Sequence, residues 1–180
     1  MSRNEKPFAL DVVSIRLVKD AELLSDKPIH SVEDAVALLG ERMCELDREV
    51  ICVVNLKSDG TPINCHFASM GAINHAIAHP RELFKASILS NASQMLLIHN
   101  HVSGSLMPSK DDVMITDRMV NLCDQIGIPL ADHIIVGGNN QEYFSFRKQN
   151  ILPVSKIVYE EHYENITLSM PVAAERGKAR

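Results

Sequence analysis

Three side chains of types that commonly bind metal ions lie close together near the middle of the chain. His99 and His101 follow the apolar run 95–98, which is too short for a helix and is typical of a buried strand. Side chains two residues apart on a strand point the same way, so both imidazoles can reach one ion. Asp112 follows in the first turn of a helix that begins after Ser109. Two imidazoles and one carboxylate leave a fourth position vacant, as in catalytic rather than structural zinc sites.

Each of these residues also has an interpretation that needs no metal. Histidines at the ends of strands are often half-exposed polar groups. The segment 109–112 reads Ser-Lys-Asp-Asp, a capping box in which Ser109 and Asp112 bond the backbone of the helix N-terminus. The two interpretations of Asp112 are compatible because a carboxylate has two oxygens.

Composition places the chain among ordinary globular domains. Its 180 residues are enough for one domain with a substantial core, and its net charge of −5 argues against non-specific nucleic-acid binding. The four cysteines show no Cys-x-x-Cys spacing and lie in apolar segments, which is typical of reduced core residues in a cytosolic protein. The N-terminus lacks the apolar run of a signal peptide, and we find no candidate membrane span. We therefore expect a cytoplasmic protein with no membrane partner.

The spacing of apolar residues predicts a mixed α/β domain whose central sheet is covered by helices. A capping box at Ser31–Asp34 begins a first helix that reaches about residue 46, and Pro80 begins a second helix. A third helix spans about 110–126 and ends at Gly127. Strands are predicted, the first of them as an edge strand, at 13–17, 49–56, 61–70, 95–98, 130–136 and 142–146.

The order and spacing of the motifs resemble a known family. His99-x-His101, followed after seven residues by Ser109 and after two more by Asp112, resembles the zinc signature of the JAMM (JAB/MPN) metalloproteases. The flanking segments are similar to the bacterial RadC-like branch of that family: His79-Pro80-Arg81-Glu82, Ser103-Gly104, Pro108-Ser109 and the run from Ile128 to Gly137. The similarity predicts a domain over residues 8–150, after a disordered lead at 1–7 and before a partly disordered C-terminal extension at 151–180.

The resemblance implies a zinc hydrolase with a JAB fold, a mixed sheet flanked by helices in a three-layer, cytidine-deaminase-like architecture. It implies that His99, His101 and Asp112 hold one Zn²⁺ per chain. It also implies a glutamate general base at the start of the strand after the first helix. Glu49 matches that position, whereas its competitor Glu45 falls in the last turn of the helix.

The implied reaction is hydrolysis of a peptide or isopeptide bond in a protein or peptide substrate. Glu49 would take a proton from the attacking water and deliver it to the leaving amine. The Ser109 hydroxyl would donate to the oxyanion that develops on the attacked carbonyl. His79, Asp132 and His133 are by themselves typical of structural positions, but they fall in segments similar to the family, and the resemblance implies that they lie near the site and orient the ligands.

One residue departs from the family pattern, because Val102 stands where the family usually has proline. We expect metal binding to persist while the loop after His101 is looser. This departure motivates an alternative hypothesis, a RadC-like module that serves DNA repair or protein binding with little or no turnover. A homodimer is compatible with the sequence under either hypothesis.

Overall fold

Three helices and five strands form in the described parts of the chain, residues 14–70 and 79–159 of a computed structural model. The helices are α1 (Val32–Cys44), α2 (Pro80–Leu89) and α3 (Lys110–Ile126). The strands are β1 (Val50–Leu56), β2 (Pro62–Met70), β3 (Gln94–His101), β4 (Leu130–Gly137) and β5 (Asn139–Ser145). The three predicted helices and all predicted strands except the first are present.

The strands form one sheet in the order β2-β1-β3-β4-β5. β3 and β4 run parallel, and the other neighbouring strands are antiparallel. A parallel pair needs a crossover connection, and α3 lies in the segment that provides it. The carboxyl ends of β3 and β4 therefore lie at one edge of the sheet, beside the start of β1.

Helices cover both faces of the sheet. β1 is apolar along most of its length and, because both faces are covered, it is buried along all of it. Alternate residues of a strand point to opposite faces, so each face has its own core. α1 packs on the first face against Val50, Cys52, Val54, Leu96 and Ile98. α2 and α3 pack on the second face against Ile51, Val53, Met95 and Leu97. This is the predicted three-layer architecture of a mixed sheet flanked by helices.

The helix ends follow the local sequence signals. Ser31 caps α1 in a capping box with Asp34, and Pro80 is the first residue of α2. α3 ends at Gly127, whose positive φ of 75° is a conformation that glycine adopts without steric cost. The two ends of α1 and α3 and the start of α2 could therefore be predicted to within about two residues.

The predicted edge strand at 13–17 is wrong. Residue 13 lies outside the described residues, and residues 14–30 contain no helix or strand. Ile15 and Leu17 are exposed, so the alternating pattern there has no sheet on which to pack. The apolar spacing of α2 likewise predicts that Ile88 and Leu89 are buried, but both are exposed because only the Leu83 side of this helix faces the sheet.

The segment after β5 runs along α3 without forming a helix or strand over residues 151–159. The Ser155 hydroxyl donates to Asp124, and the Lys156 backbone N–H donates to Asn121 Oδ1, both at 2.8 Å. The predicted disordered lead and most of the predicted C-terminal extension lie outside the described residues, so those domain limits stay predictions. Among the described helices, none combines the length and hydropathy that a membrane span requires.

Candidate metal centre

The carboxyl end of the central strand β3 carries both histidines that the sequence singles out. His99 and His101 are buried, and their ring centroids lie 4.8 Å apart in an edge-to-face arrangement. β1 and β4 flank β3, and β4 pairs with it as far as His101, which lies opposite Gly137. β4 therefore holds the backbone of both residues, and β1 pairs with β3 as far as His99.

The first turn of α3 brings Asp112 between the two imidazoles. Its Oδ1 lies 2.8 Å from His99 Nδ1, and its Oδ2 lies 3.2 Å from His101 Nε2. All three side chains are buried. The structure thus brings together the three residues that the sequence marks as metal ligands.

The charges of this cluster depend on one another. Burial raises the pKa of Asp112, but the adjacent imidazoles of His101 and His99 and the hydrogen bond from Ser109 outweigh burial and hold this pKa well below its usual range. The hydrogen bond to Asp112 raises the pKa of His101, against the effect of burial. Asp112 is therefore a carboxylate that attracts positive charge to the imidazoles around it.

The hydrogen bonds of His101 leave a nitrogen lone pair facing this carboxylate. A carbonyl can only accept, so the contact of 2.8 Å between His101 Nδ1 and the Ser105 carbonyl puts a proton on Nδ1. In neutral His101, Nε2 then presents a lone pair to Asp112 Oδ2. Two acceptors at 3.2 Å need a positive charge between them, which is either a proton or a metal ion.

His99 points to the same conclusion. Its Nδ1 lies close to Asp112, yet the contact is not aligned as an N–H hydrogen bond, and both ring nitrogens lack a hydrogen-bond partner among the described residues. Leaving a buried polar group unpaired costs about 1–3 kcal/mol. An ion bound at a His99 nitrogen would satisfy one of these groups, so the donors present fit a metal.

His133 on β4 adds an imidazole that sequence reasoning placed only near the site. Its ring is fully buried and stacks between His99, at 6.2 Å, and Phe146, at 5.1 Å. The Thr116 hydroxyl donates to the Asp112 carbonyl at 2.5 Å, so it must accept from His133 Nδ1 at 2.7 Å. His133 Nε2 therefore carries a lone pair, and it has no hydrogen-bond partner in the described structure.

Together, His99, Asp112 and His133 form a group that could bind a metal ion. One ligand atom from each lies within 4.8 Å of the others, and all three residues are buried. Burial lowers the pKa of His133 to about 3, which keeps this imidazole neutral, as a metal ligand must be. Strand alternation puts His133 and Ile135 on one face of β4, but the sequence does not say that this face lies beside His99.

Ser109 contacts the same carboxylate. Its backbone N–H and its hydroxyl donate to Asp112 Oδ2 at 2.7 and 2.6 Å, and its Oγ accepts from the Asp112 N–H at 3.2 Å. The predicted capping box is therefore present. The hydroxyl that the resemblance assigns to an oxyanion donates to Asp112 in this structure, and its oxyanion role stays a prediction.

Glu49 lies one residue before β1, beside the end of β3. β1 and β3 pair in antiparallel register as far as Ile51 opposite His99. Continuing this register by two residues puts Glu49 opposite His101, on the face that carries both histidines. The charge of Glu49 contributes to raising the pKa of His101. The competitor Glu45 is the exposed C-cap residue of α1.

The other two residues expected near the site have partners of their own. His79 is the N-cap of α2, and its Nδ1 accepts from the Arg81 N–H at 3.4 Å. The Asp132 carboxylate accepts from the backbone N–H groups of His133 and Arg147 and from the Ser145 hydroxyl. Asp132 therefore links β4 to the end of β5, and its expected role in orienting the ligands stays a prediction.

The loop after His101 is ordered by its own hydrogen bonds. The Gly104 N–H donates to the His101 carbonyl at 2.9 Å, and the Ser105 carbonyl accepts from the His101 ring. Gly104 also packs on Gly137, where an added Cβ would lie 2.9 Å from the Gly104 carbonyl oxygen. Val102 is half-exposed at the start of this loop. The looser loop that valine at this position predicts stays a prediction.

A five-stranded mixed sheet flanked by helices is consistent with a JAB/MPN fold. The chain belongs to the RadC-like JAB domain family, because the model of that family matches residues 29–151. The resemblance inferred from the motifs is thereby confirmed at the level of the family.

Curated relatives with the name UPF0758 protein match this chain over 61–72% of its length. The protein of Moorella thermoacetica is 36% identical over 129 residues, which are 72% of this chain and 56% of that protein. The protein of Desulforamulus reducens is 39% identical over 111 residues, 62% of this chain and 49% of that protein. The protein of Caldanaerobacter subterraneus is 42% identical over 109 residues, which are 61% of this chain and 47% of that protein. The chain thus spans about half the length of these relatives.

Proposed function

We propose that the protein is a zinc-dependent hydrolase that cleaves peptide or isopeptide bonds. The observation that carries the proposal is the buried group around Asp112, where nitrogens of His99 and His101 lie 2.8 and 3.2 Å from the carboxylate oxygens and both His99 nitrogens lack a hydrogen-bond partner among the described residues. Nitrogen and oxygen donors of this kind suit Zn²⁺. Membership of the JAB family supports the same conclusion.

We assign His99, His101 and Asp112 as the protein ligands. Bound Zn²⁺ would supply a Lewis acid that polarises the attacked carbonyl and lowers the pKa of a water molecule to about 7. The Ser105 carbonyl fixes the His101 tautomer, and Ser109 fixes the carboxylate, as outer partners of metal ligands commonly do. His133 offers a further nitrogen beneath His99, and its contribution is tested separately below.

Glu49 is the residue that we assign as general base. It is half-buried and lies by register opposite His101, so its carboxylate can reach a water molecule beside that ligand. A carboxylate there takes the proton from the water as the carbonyl is attacked and gives it to the leaving amine as the C–N bond breaks. Without this transfer the nitrogen would have to depart as an unprotonated anion, which is a poor leaving group.

The experiment compares zinc binding with hydrolysis in the same protein. Chelator-treated protein is titrated with Zn²⁺ and then assayed with a fluorescence-quenched peptide mixture and with peptides joined through a lysine ε-amino group. We expect one Zn²⁺ per chain and hydrolysis that depends on it. Glu49→Gln should keep the zinc and lower kcat by about 10²–10⁴-fold.

Glu45→Gln is the matched control, because it removes a carboxylate four residues away at the exposed end of α1. It should change neither property. A wild-type protein that binds no stoichiometric zinc, or a Glu49→Gln protein as active as the wild type, contradicts the proposal.

The alternative function, a DNA-associated or protein-binding module, makes a different prediction. Its binding would not depend on Glu49, and its affinity for duplex DNA would fall steeply with salt. Fluorescence anisotropy with a short labelled duplex at low salt tests the nucleic-acid version. The acidic net charge of −5 argues against it.

A further inference from the structure

Asn100 lies between the two histidines in sequence, but its side chain points to the other face of β3. It is buried. Its Oδ1 accepts from the Val50 N–H at 2.8 Å, and its Nδ2 donates to the Arg48 carbonyl at 3.0 Å. An N–H must meet an oxygen and a carbonyl must meet an N–H, so this orientation of the amide is the one that satisfies both contacts.

These two hydrogen bonds enclose Glu49. Regular pairing of β1 with β3 ends at Ile51 opposite His99. Beyond that pair, the Asn100 amide bonds the backbone groups immediately before and after Glu49, in place of a partner backbone. The segment that carries the glutamate is thereby held at a point where the end of a strand would otherwise fray.

We propose that Asn100 is a positioning residue that fixes Glu49 against the metal centre. The inference rests on the proposed role of Glu49 as general base. One short segment of β3 then directs His99 and His101 to one face, while the residue between them holds the strand that carries the base. The position of the metal and the position of the base both depend on the backbone of β3. A displacement of β3 therefore moves both together.

The expected consequence is kinetic. A displacement of about 1 Å at a reacting group can lower a rate by about 100-fold. Asn100→Ala removes both hydrogen bonds and leaves the neighbouring ligands in place. We expect kcat for the quenched peptide mixture to fall by about 10- to 100-fold, with little change in KM and with zinc affinity within about threefold of the wild type.

A double-mutant cycle separates positioning from a general loss of structure. If Asn100 acts through Glu49, Asn100→Ala should cost almost nothing further in a Glu49→Gln background, because residues that act as a unit are not additive. Equal losses in the two backgrounds would overturn the inference. So would a fall in zinc affinity that matches the fall in kcat.

The matched control is Asn55→Ala. Asn55 is also buried, on β1, and its Nδ2 donates to Asn64 Oδ1 at 2.6 Å, toward the opposite end of the strand from Glu49. Asn55→Ala should lower the melting temperature about as much as Asn100→Ala does, and it should leave kcat unchanged. If Asn100→Ala does not fold, Asn100→Asp replaces it in the cycle, because the aspartate can still accept from Val50 but cannot donate to Arg48.

A readout without substrate keeps this inference distinct from the proposed function. The visible absorption of the Co²⁺-loaded protein is recorded across pH 5–9 for the wild type, Glu49→Gln, Asn100→Ala and Asn55→Ala. We expect Glu49→Gln to shift the midpoint of the pH change, Asn100→Ala to shift it in the same direction, and Asn55→Ala to leave it in place. If the wild type binds Co²⁺ but cleaves no peptide, the proposed function fails. The midpoint then decides the inference: an Asn100→Ala midpoint equal to that of the wild type overturns it.

Discussion

The chain builds the same capping box twice, at the start of α1 and at the start of α3, and the two copies have different surroundings. In each, a serine side chain accepts from the backbone N–H of an aspartate three residues on. In each, that aspartate accepts from the serine N–H, at 3.0 Å for Asp34 and at 2.7 Å for Asp112. The local geometry of the two boxes is therefore nearly the same.

The remaining partners of the two carboxylates differ. Asp34 pairs with Lys27 at the surface, whereas Asp112 lies between His99 and His101. The exposed fraction of the side chain is 14% for Asp34 and 4% for Asp112. Both carboxyl pKa values are held below the usual range, by Lys27 in the first case and by the two histidines and Ser109 against burial in the second. A capping box sets the direction of a carboxylate, and the tertiary environment decides what that carboxylate binds.

The largest expected effect distinguishes the two aspartates. Asp112→Asn should lower zinc affinity by more than about 100-fold, because it removes a charged ligand and not only an outer partner. Asp34→Asn should leave zinc binding unchanged. Zinc at 100 times its Kd should stabilise the wild type and Asp34→Asn by about 2.7 kcal/mol, seen as a higher melting temperature. The same rise in Asp112→Asn would remove Asp112 from the ligand set.

A smaller effect tests His133, whose imidazole stacks on that of His99. Phenylalanine at position 133 can keep the stacking on Phe146 but has no nitrogen, so His133→Phe should lower zinc affinity by about 10- to 100-fold. Thr116→Val removes the hydroxyl that fixes the His133 tautomer and should act in the same direction. Competition with a chromophoric chelator measures both. Unchanged affinity in His133→Phe would show that His133 only packs against its neighbours.

The smallest effect compares the two serines. Ser31→Ala and Ser109→Ala each remove an N-cap and should lower the free energy of unfolding by about 1 kcal/mol, measured in urea without metal. Only Ser109→Ala should also weaken zinc binding, because its hydroxyl donates to the ligand Asp112. Equal zinc affinity in the two variants would mean that the α3 box, like the α1 box, serves only to cap its helix.

The sequence predicted the parts of the fold that depend on near neighbours in the chain. The capping boxes at Ser31 and Ser109, Pro80 at the start of α2 and Gly127 at the end of α3 are signals within a few residues of the structures they specify. Alternation alone was a weaker guide. It predicted a strand at 13–17 where the described residues form none, because an alternating pattern is buried only if a sheet lies beside it.

The residue types and order of the proposed ligands could likewise be read from the sequence: His99 and His101 at a strand end and Asp112 at a helix start. The sequence placed His133 near the site, but tertiary structure alone made it a candidate ligand, through the parallel register that puts β4 beside β3 and the stacking of its ring on His99. It also gave Asn100 its contacts with the backbone of Val50 and Arg48, on the two sides of Glu49 and 50 and 52 residues earlier in the chain. Local signals act over one helical turn or one hairpin, whereas these contacts depend on which strands become neighbours, and only the packing of the whole domain decides that.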